Sequence, residues 1–479
     1  MASLSSLSSL SLALPTISTS ESDGLKIRPT TTAPPASSIW RDLPEAEFRQ
    51  HVVDLEKLTN AVPVEAQTFP LPPSSADADA DADAKHAELD DGTIGYQLPL
   101  AVEQRLADDI AYLVAVGEGA QSVAATTVQE SRSRGEQVQG GAGIRVTVAS
   151  VDAIEPNSQA FLRSVFQMLS PKGVPSAKAS PQLESLLDLV VRHHQARLLN
   201  RLRSAKWTKP TYLSRTHKKP LYADFANLVH RVQFLYTKKE AAARAQLEQE
   251  LLALAALLEA FENEADDDHN RLVDIVRSSY DLCTSPLVAD YLQRLKGVRA
   301  TTQIQACMKT LRQLEKIAAC RRICLTLAGL SQSHAKLFRS VELIFLLPYE
   351  AVPLTLAYQP WAKSTHVHAE VILSVHHDLE EPNSAWRKPR CLGASKYFCY
   401  LCFLFIRHHG AYFAANTHGA CYDQWTVPDL AEYPETLASR YREVLRAMDT
   451  EIQTQTQGAV WRPEPMTSRE NLIGTSGGE

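Results

Sequence analysis

Two short fragments late in the chain place metal-ligand residue types at the start of apolar runs with helical character. The first, HVHAEVILSVHH, begins at His366, and the second, SKYFCYLCFLFI, begins at Ser395. A helix N-terminus carries a partial positive charge, which stabilises thiolates and lowers the pKa of cysteine. The fragments constrain the fold strongly, because they can share one metal ion only where the two helices begin side by side.

The spacing within the fragments predicts which residues would bind a metal. Cys399 and Cys402 are three residues apart, so both sulfurs can reach one ion from the first helical turn, and His368 supplies an imidazole from the other helix. One nitrogen and two sulfurs suit zinc and leave a fourth position for water, as in catalytic sites. Glu370 can reach the same cavity as a proton carrier without being a ligand.

Each of these residues also has a structural interpretation. A C-x-x-C pair alone fits two core cysteines on a helix, and Cys320 and Cys324 are predicted to be core thiols of that kind. His366 is a rival ligand to His368. The combination of His-x-Glu and C-x-x-C in this order favours the metal site.

Composition and periodicity divide the 479 residues into four parts. Residues 1–95 are predicted to be a disordered low-complexity segment, because they are rich in Ser, Thr and Pro and include ADADADADAK. Residues 96–335 are predicted to be mostly helical, with one strand at IRVTVASV. Residues 336–447 alternate strand and helix, which predicts an α/β domain. VELIFLL, VPLTLAY, KPRCLGAS and ACYDQWTV are its predicted strands; Ser364 or Thr365 is the predicted N-cap of the first helix, and Gly410 the predicted end of the second. Residues 448–479 are predicted to be a flexible tail.

A stripe of apolar residues in the helical part repeats at spacings of four and three. A buried helix face is favoured over a short coiled-coil contact, because the stripe is too short for a coiled coil. The stripe consists of Leu247, Leu251, Leu254, Leu258 and Phe261.

The order His368-Ala369-Glu370 followed by Cys399-Tyr400-Leu401-Cys402 resembles the zinc-dependent cytidine and nucleic-acid deaminase superfamily. HAEVILSVHH, LGASKYFCYLCFLF and THGACYDQW look like the deaminase-like branch widespread in fungi and related to bacterial toxin-type deaminases. The resemblance implies Zn²⁺, a cytidine-deaminase-like three-layer α/β/α domain with a mixed sheet, and hydrolytic removal of an exocyclic amine. Phe398 departs from the pattern, since proline commonly precedes the first cysteine, and this bears on pocket shape and substrate.

Two basic stretches bear on the substrate. From Arg192 to Lys219 there are nine Lys or Arg residues and no acid, with Trp207 and Tyr212 interleaved. Such a tract can neutralise phosphates and stack on bases, although a solvated helix face followed by a loop is favoured. The candidate contacts are Arg192, Arg197, Arg201, Arg203, Lys206 and Lys209. Near the second fragment, Ser395 and Lys396 are candidate substrate-binding residues, and Arg387, Lys388 and Arg390 add positive charge.

Three functional hypotheses follow. The first is a deaminase of cytosine, or less favourably adenine, in nucleic acid; the second is a deaminase of a free nucleoside or nucleotide. The third is a non-enzymatic protein with a structural zinc site and a helical interaction domain. All eight cysteines follow residue 282 and the first basic residue is Lys26, so we expect an intracellular protein that is neither secreted nor bound to a membrane.

Overall fold

The computed structural model describes residues 19–21, 37–71, 95–117, 119, 122–132, 142–170, 181–211, 219–264, 269–380, 385–464 and 469–474. These residues form nine strands: β1 Thr19–Glu21, β2 Gln67–Thr68, β3 Ala124–Glu130, β4 Ile144–Ser150, β5 Val341–Phe345, β6 His366–Val367, β7 Gly393–Ala394, β8 Asn416–Thr417 and β9 Trp425–Thr426. They also form thirteen α-helices: α1 Glu45–Thr59, α2 Leu100–Val114, α3 Pro156–Leu169, α4 Pro181–His193, α5 Gln195–Leu202, α6 Phe225–Leu235, α7 Ala241–Asn263, α8 His269–Cys283, α9 Pro286–Lys296, α10 Thr302–Ser333, α11 Ala369–Leu379, α12 Tyr400–His409 and α13 Glu435–Gln457.

A mixed five-stranded sheet in the order β1-β5-β4-β3-β7 separates two hydrophobic cores. Strands β1, β5 and β4 are parallel neighbours, whereas β3 is antiparallel to both β4 and β7. Side chains alternate between the faces of each strand. Val146 and Val148 pack with α2–α10, whereas Ala149 packs on the other face with α1, α11, α12 and α13. This three-layer arrangement confirms the predicted α/β fold class.

The mostly helical part is an insertion between two adjacent strands of this sheet. β4 pairs in parallel with β5, with Ile144 opposite Val341, and helices α3–α10 lie between them in sequence. The sheet therefore crosses the predicted boundary between residues 335 and 336. The alternation in IRVTVASV predicted β4, which is observed, but alternation carries no information about a partner that lies so far along the chain. The leucine stripe of α7 is buried, as predicted for a helix face.

Part of the segment predicted to be disordered is folded. Helix α1 buries Phe48, Val52 and Leu55 in the core that also contains α13. These residues repeat at helical spacing, and the prediction missed them because composition was averaged over the whole N-terminal segment. The ADADADADAK run lies outside the described residues.

The predicted C-terminal tail also contains packed structure. Helix α13 continues to Gln457, and Leu472 and Ile473 pack into the core on the helical face of the sheet. Glu470 accepts a hydrogen bond from Arg322. Arg322 also donates two hydrogen bonds of 2.7 Å to Asp109. The tail prediction missed these contacts, because each depends on residues more than a hundred positions away.

Within the predicted α/β region most elements occur, but the strands are shorter than expected. VELIFLL contains β5, and ACYDQWTV contains β9, which pairs in parallel with β6. VPLTLAY does not form a strand; its only pairing in the described part is an isolated bridge from Pro353 to Ser364. No helix among the described residues has both the length and the apolar character needed to cross a bilayer.

Candidate metal centre

Two helices begin at the fragments that the sequence singled out. His368 is the N-cap of α11, and Cys399 is the N-cap of α12, where its Sγ accepts a hydrogen bond of 3.3 Å from the backbone N–H of Cys402. The first helix starts later than predicted, because His366 and Val367 form β6 and Ser364 and Thr365 precede it. Both helices therefore direct free N–H groups and a partial positive charge toward the same place.

The three predicted ligands converge. Nδ1 of His368 lies 3.5 Å from Sγ of Cys399 and 3.5 Å from Sγ of Cys402. All three ligand atoms lie within 4.8 Å of one another, and this is the cluster of metal-ligand type found among the described residues. Tetrahedral zinc with ligand distances of about 2.0–2.3 Å separates its ligands by about 3.3–3.8 Å. The histidine–sulfur separations therefore fit a metal ion of this kind.

Glu370 lies against the cluster. Its Oε2 is 3.3 Å from Sγ of Cys402, and its side chain is buried. Burial raises the pKa of Glu370 above its usual range, although the nearby His368 opposes the increase. A buried carboxyl group with a raised pKa holds its proton more readily than an exposed one, which is a property of groups used in general acid–base catalysis.

The ligands show the electrostatics of a thiolate–imidazole site. Burial opposes charge on Cys399, but hydrogen bonding from Cys402 and the charge of His368 hold its pKa well below the usual value. Burial and the neighbouring Cys399 raise the pKa of Cys402. Burial alone would lower the pKa of His368, and the Cys399 thiolate raises it overall. The pocket thus favours a Cys399 thiolate next to a positively charged His368 imidazole. A bound cation can take the place of the imidazole proton as the positive charge beside the thiolate.

The other residues predicted near the site occupy different positions. His366 lies on β6 with Nε2 3.1 Å from Oγ of Ser364, and it is not part of the cluster. Ser395 is buried, and its Oγ accepts a hydrogen bond from the backbone N–H of Ala124 at the end of the sheet. Nζ of Lys396 donates to the carbonyl oxygen of Gly119 at 2.8 Å. A substrate-binding role for Ser395 and Lys396 stays a prediction.

Of the positive charges that precede Ser395, Arg387 lies at the opposite end of β3 from Ser395. Ser395 N–H donates to the carbonyl oxygen of Ala124 at the start of β3, whereas Arg387 N–H donates to that of Glu130 at its end. At about 3.3 Å per residue, the length of β3 separates these two points by about 20 Å. Arg390 is engaged with Glu103. Arg387 is thus distant from Ser395, and Arg390 is held by a carboxylate of α2.

The basic tract contributes partly to the protein interior. Arg197 is buried, donates to the carbonyl oxygen of Ala115 and stacks over the ring of Tyr112 at 4.4 Å. Arg203 pairs with Asp224. Residues of the tract that reach the surface include Arg192 and Lys209. Tyr212 lies outside the described residues.

A loop that the sequence did not single out borders the centre. Residues 416–422, which we call the site loop, carry His418 and Tyr422. The ring centroid of Tyr422 lies 6.4 Å from that of His368 and 5.9 Å from that of His418. Only the family resemblance covers this loop, through THGACYDQW, because a histidine and a tyrosine in a loop have no spacing that predicts a site.

Comparison with known proteins agrees with this geometry. Residues 367–429 match the family model described as "OTT_1508_deam:-like deaminase". The matched segment contains the three clustered ligands, Glu370 and the site loop. Neither the curated proteins nor the solved structures contain a match. The predicted resemblance to the deaminase superfamily is thus confirmed over this segment, and the His368–Cys399–Cys402 cluster is the part of it that can bind a metal ion.

Proposed function

We propose that the protein is a zinc-dependent hydrolytic deaminase that removes the exocyclic amine of a nucleobase, with cytosine in nucleic acid as the preferred substrate. The observation that carries this proposal is the position of Glu370. A site that only stabilises the fold has no use for a buried carboxyl group 3.3 Å from a ligand sulfur, since burial of an ionisable group costs free energy. General acid–base chemistry does use such a group.

The donor set fits zinc. His368, Cys399 and Cys402 would hold the ion, leaving one coordination position open among tetrahedral ligands. When bound, zinc would supply a Lewis acid that lowers the pKa of water enough for attack near neutral pH. The two thiolates would neutralise the charge of the ion, and the N-termini of α11 and α12 would stabilise those thiolates.

Glu370 would carry the protons of the reaction. Its carboxylate would accept a proton from the attacking water and deliver it to the ring nitrogen next to the carbon that bears the amine. A second proton transfer to the amine would release ammonia and leave a carbonyl group. One water is consumed for each ammonia released, so cytosine would become uracil.

The preference for nucleic acid rests on the basic tract. Arg192 and Lys209 are exposed, whereas Trp207 packs partly buried against the helical core and Lys206 lies 4.1 Å from the centroid of the Phe261 ring. Exposed positive charge can neutralise the phosphates of a nucleic acid. A free nucleoside would not need such a tract.

Metal analysis coupled to ammonia release tests the proposal. The purified protein should contain about one zinc per chain and release ammonia from a cytosine-containing single-stranded oligonucleotide faster than from cytidine or adenosine. Faster release from cytidine would identify a free-nucleoside deaminase. Zinc-loaded protein that releases ammonia from no member of the panel would contradict the enzyme and favour a structural zinc site.

A further inference from the structure

The backbone of the site loop is fixed relative to the metal ligands. The N–H of His418 donates to the carbonyl oxygen of Phe398 at 3.0 Å, and the N–H of Tyr400 donates to that of Ala420 at 2.8 Å. These two bonds flank Cys399 on either side. A third bond, from the N–H of Cys421 to the carbonyl oxygen of Ala61 at 2.8 Å, ties the loop to the segment after α1. The backbone that carries the loop side chains is therefore held in place before any substrate arrives.

His418 is fixed in one tautomer by its own loop. Its Nδ1 accepts a hydrogen bond of 3.0 Å from the backbone N–H of Ala420, so the neutral ring carries its proton on Nε2. Within the described part of the chain, Nε2 has no hydrogen-bond partner. A partly buried donor that is oriented but unused by the protein is available to a ligand.

Tyr422 adds an exposed aromatic ring beside a buried site. It is 40% exposed, whereas Cys399 is 5% and Cys402 0% exposed. Its ring lies close to both His368 and His418, at centroid distances of 6.4 and 5.9 Å. A large aromatic surface left open next to a metal ligand is suited to stacking on a planar ring.

We propose that His418 and Tyr422 form a substrate-binding wall, in which Tyr422 stacks on the face of a planar nucleobase and Nε2–H of His418 donates a hydrogen bond to an acceptor on the same base. The wall rests on the proposed function, because it supplies the contacts that would hold the base while its amine reacts. Both residues would contact the base directly, and neither belongs to the cluster of metal-ligand side chains. The recognised chemistry is a flat heteroaromatic ring with a hydrogen-bond acceptor on its edge.

Binding can be measured without turnover. In zinc-loaded Glu370→Gln protein, we would measure the Kd of cytidine, adenosine and a cytosine-containing single-stranded oligonucleotide by calorimetry. Tyr422→Leu in this background should raise Kd by about 5- to 100-fold, as expected for loss of one stacked base, whereas Tyr422→Phe should stay within about 2-fold of the parent. His418→Asn, whose Oδ1 can accept the hydrogen bond from the Ala420 N–H in place of Nδ1 while the Nε2–H donor is lost, should raise Kd by about 2- to 10-fold.

Controls separate this role from a structural one. His230→Phe replaces an exposed histidine on α6, outside the site, and should leave Kd unchanged. All variants should retain the zinc content of the parent. In the active protein, Tyr422→Leu should raise KM more than it lowers kcat, because stacking holds the base before and during the reaction alike.

Two results would overturn the wall: unchanged Kd in both Tyr422→Leu and His418→Asn, or no binding of any probe to zinc-loaded parent protein. Ammonia release, a different measurement, tests the proposed function. If the variants lose binding as expected but the wild-type protein releases no ammonia from the same probes, the wall is supported and the deaminase is contradicted.

Discussion

Sγ of Cys402 on α12 lies 3.3 Å from Oε2 of Glu370 on α11. This contact joins a ligand type from one helix to an acid–base group from the other, across 32 positions of sequence. The N-caps of both helices, Cys399 and His368, meet at the same point, with Nδ1 3.5 Å from the sulfur. The relative position of two helix N-termini therefore determines whether the candidate metal ligands and the candidate acid–base group meet.

Loss of one sulfur ligand should abolish metal binding. We expect Cys402→Ser to lose zinc and to become insensitive to chelators, because two ligands hold the ion much less tightly than three. Wild-type protein should be stabilised by zinc, by about 4 kcal/mol when free zinc is about 1,000 times its Kd. Metal analysis and thermal unfolding with and without chelator measure both effects.

Cys324→Ser is the matched control for that substitution, because Cys324 is a buried thiol on α10 and belongs to the other core. Cys324→Ser should lower the free energy of unfolding, because serine places a hydroxyl group in an apolar core. The variant should still bind as much zinc as the wild-type protein. Equal zinc content in the Cys402→Ser and Cys324→Ser variants would contradict the ligand assignment.

The positions of helices α11 and α12 could be predicted from the sequence, because the residues that indicate them are close together in the chain. Spacing placed Cys399 and Cys402 on one helical turn, and Gly410 marked the end of α12, where it adopts φ 73°. His368 and Glu370 were predicted from their separation alone. In each case the residues that determine the geometry are neighbours in the chain.

The rest of the site depends on contacts that local patterns do not specify. α1 lies in a segment whose composition indicated disorder, yet Ala61 just beyond it binds the backbone of Cys421. The sequence did not predict strand β3, although its first residue, Ala124, accepts the hydrogen bond from the N–H of Ser395. Pairings over such sequence separations follow from the folded topology, so a single sequence gives no register for them.

The site loop should tolerate no side chain at Gly419. This glycine has φ +77°, and an added Cβ would lie 2.0 Å from the carbonyl oxygen of Val64. Replacing a glycine of positive φ by alanine typically costs about 1 kcal/mol, and we expect Gly419→Ala to destabilise the fold by more than that. It should also weaken base binding, because the loop must move to make room for the Cβ. Urea unfolding and calorimetry provide the two measurements.

Gly410→Ala is the control for backbone conformation alone. Gly410 has φ +73°, but an added Cβ there would meet nothing within 4 Å. Gly410→Ala should therefore lower the free energy of unfolding only by the cost of placing alanine in the left-handed conformation. Base binding should be unchanged. If Gly419→Ala and Gly410→Ala lower the free energy of unfolding equally, the contact with Val64 does not constrain the loop.

Glu56 should make the stability of the protein depend on pH. Burial raises its pKa from 4.5 to about 9, and the nearby Asp423 adds to the increase. Between these two pH values the folded state holds a proton that the unfolded state has released, so stability falls as pH rises, by about 1.4 kcal/mol per unit. From pH 6 to 8, wild type should lose about 2 to 3 kcal/mol relative to Glu56→Gln.

Urea unfolding at several pH values measures this difference. Glu47→Gln, at an exposed position of the same helix, should retain the pH dependence of the wild-type protein. Parallel stability profiles for wild type and Glu56→Gln would show that Glu56 is not protonated in the folded state at neutral pH.

The exposed part of the basic tract should contribute to nucleic-acid affinity. Arg192→Gln combined with Lys209→Gln should weaken binding of a single-stranded oligonucleotide and flatten the dependence of log K on log salt by about 1.4, if each residue contacts one phosphate. Arg197 is unsuitable for this test because it is buried. Lys238→Gln combined with Lys239→Gln, at another exposed position, should leave the salt dependence unchanged. Unaltered binding at low salt would assign the tract to a solvated surface.

The central claim is that Glu370 carries protons for a deamination at this metal centre. Glu370→Gln keeps the size and the hydrogen-bonding capacity of the side chain but removes the carboxylate. Ammonia release should be compared between zinc-loaded wild type and zinc-loaded Glu370→Gln, on the same cytosine-containing oligonucleotide. We predict equal zinc content and thermal stability, with a rate about 10² to 10⁴-fold lower in the variant. Equal rates of ammonia release by the two proteins would contradict the account.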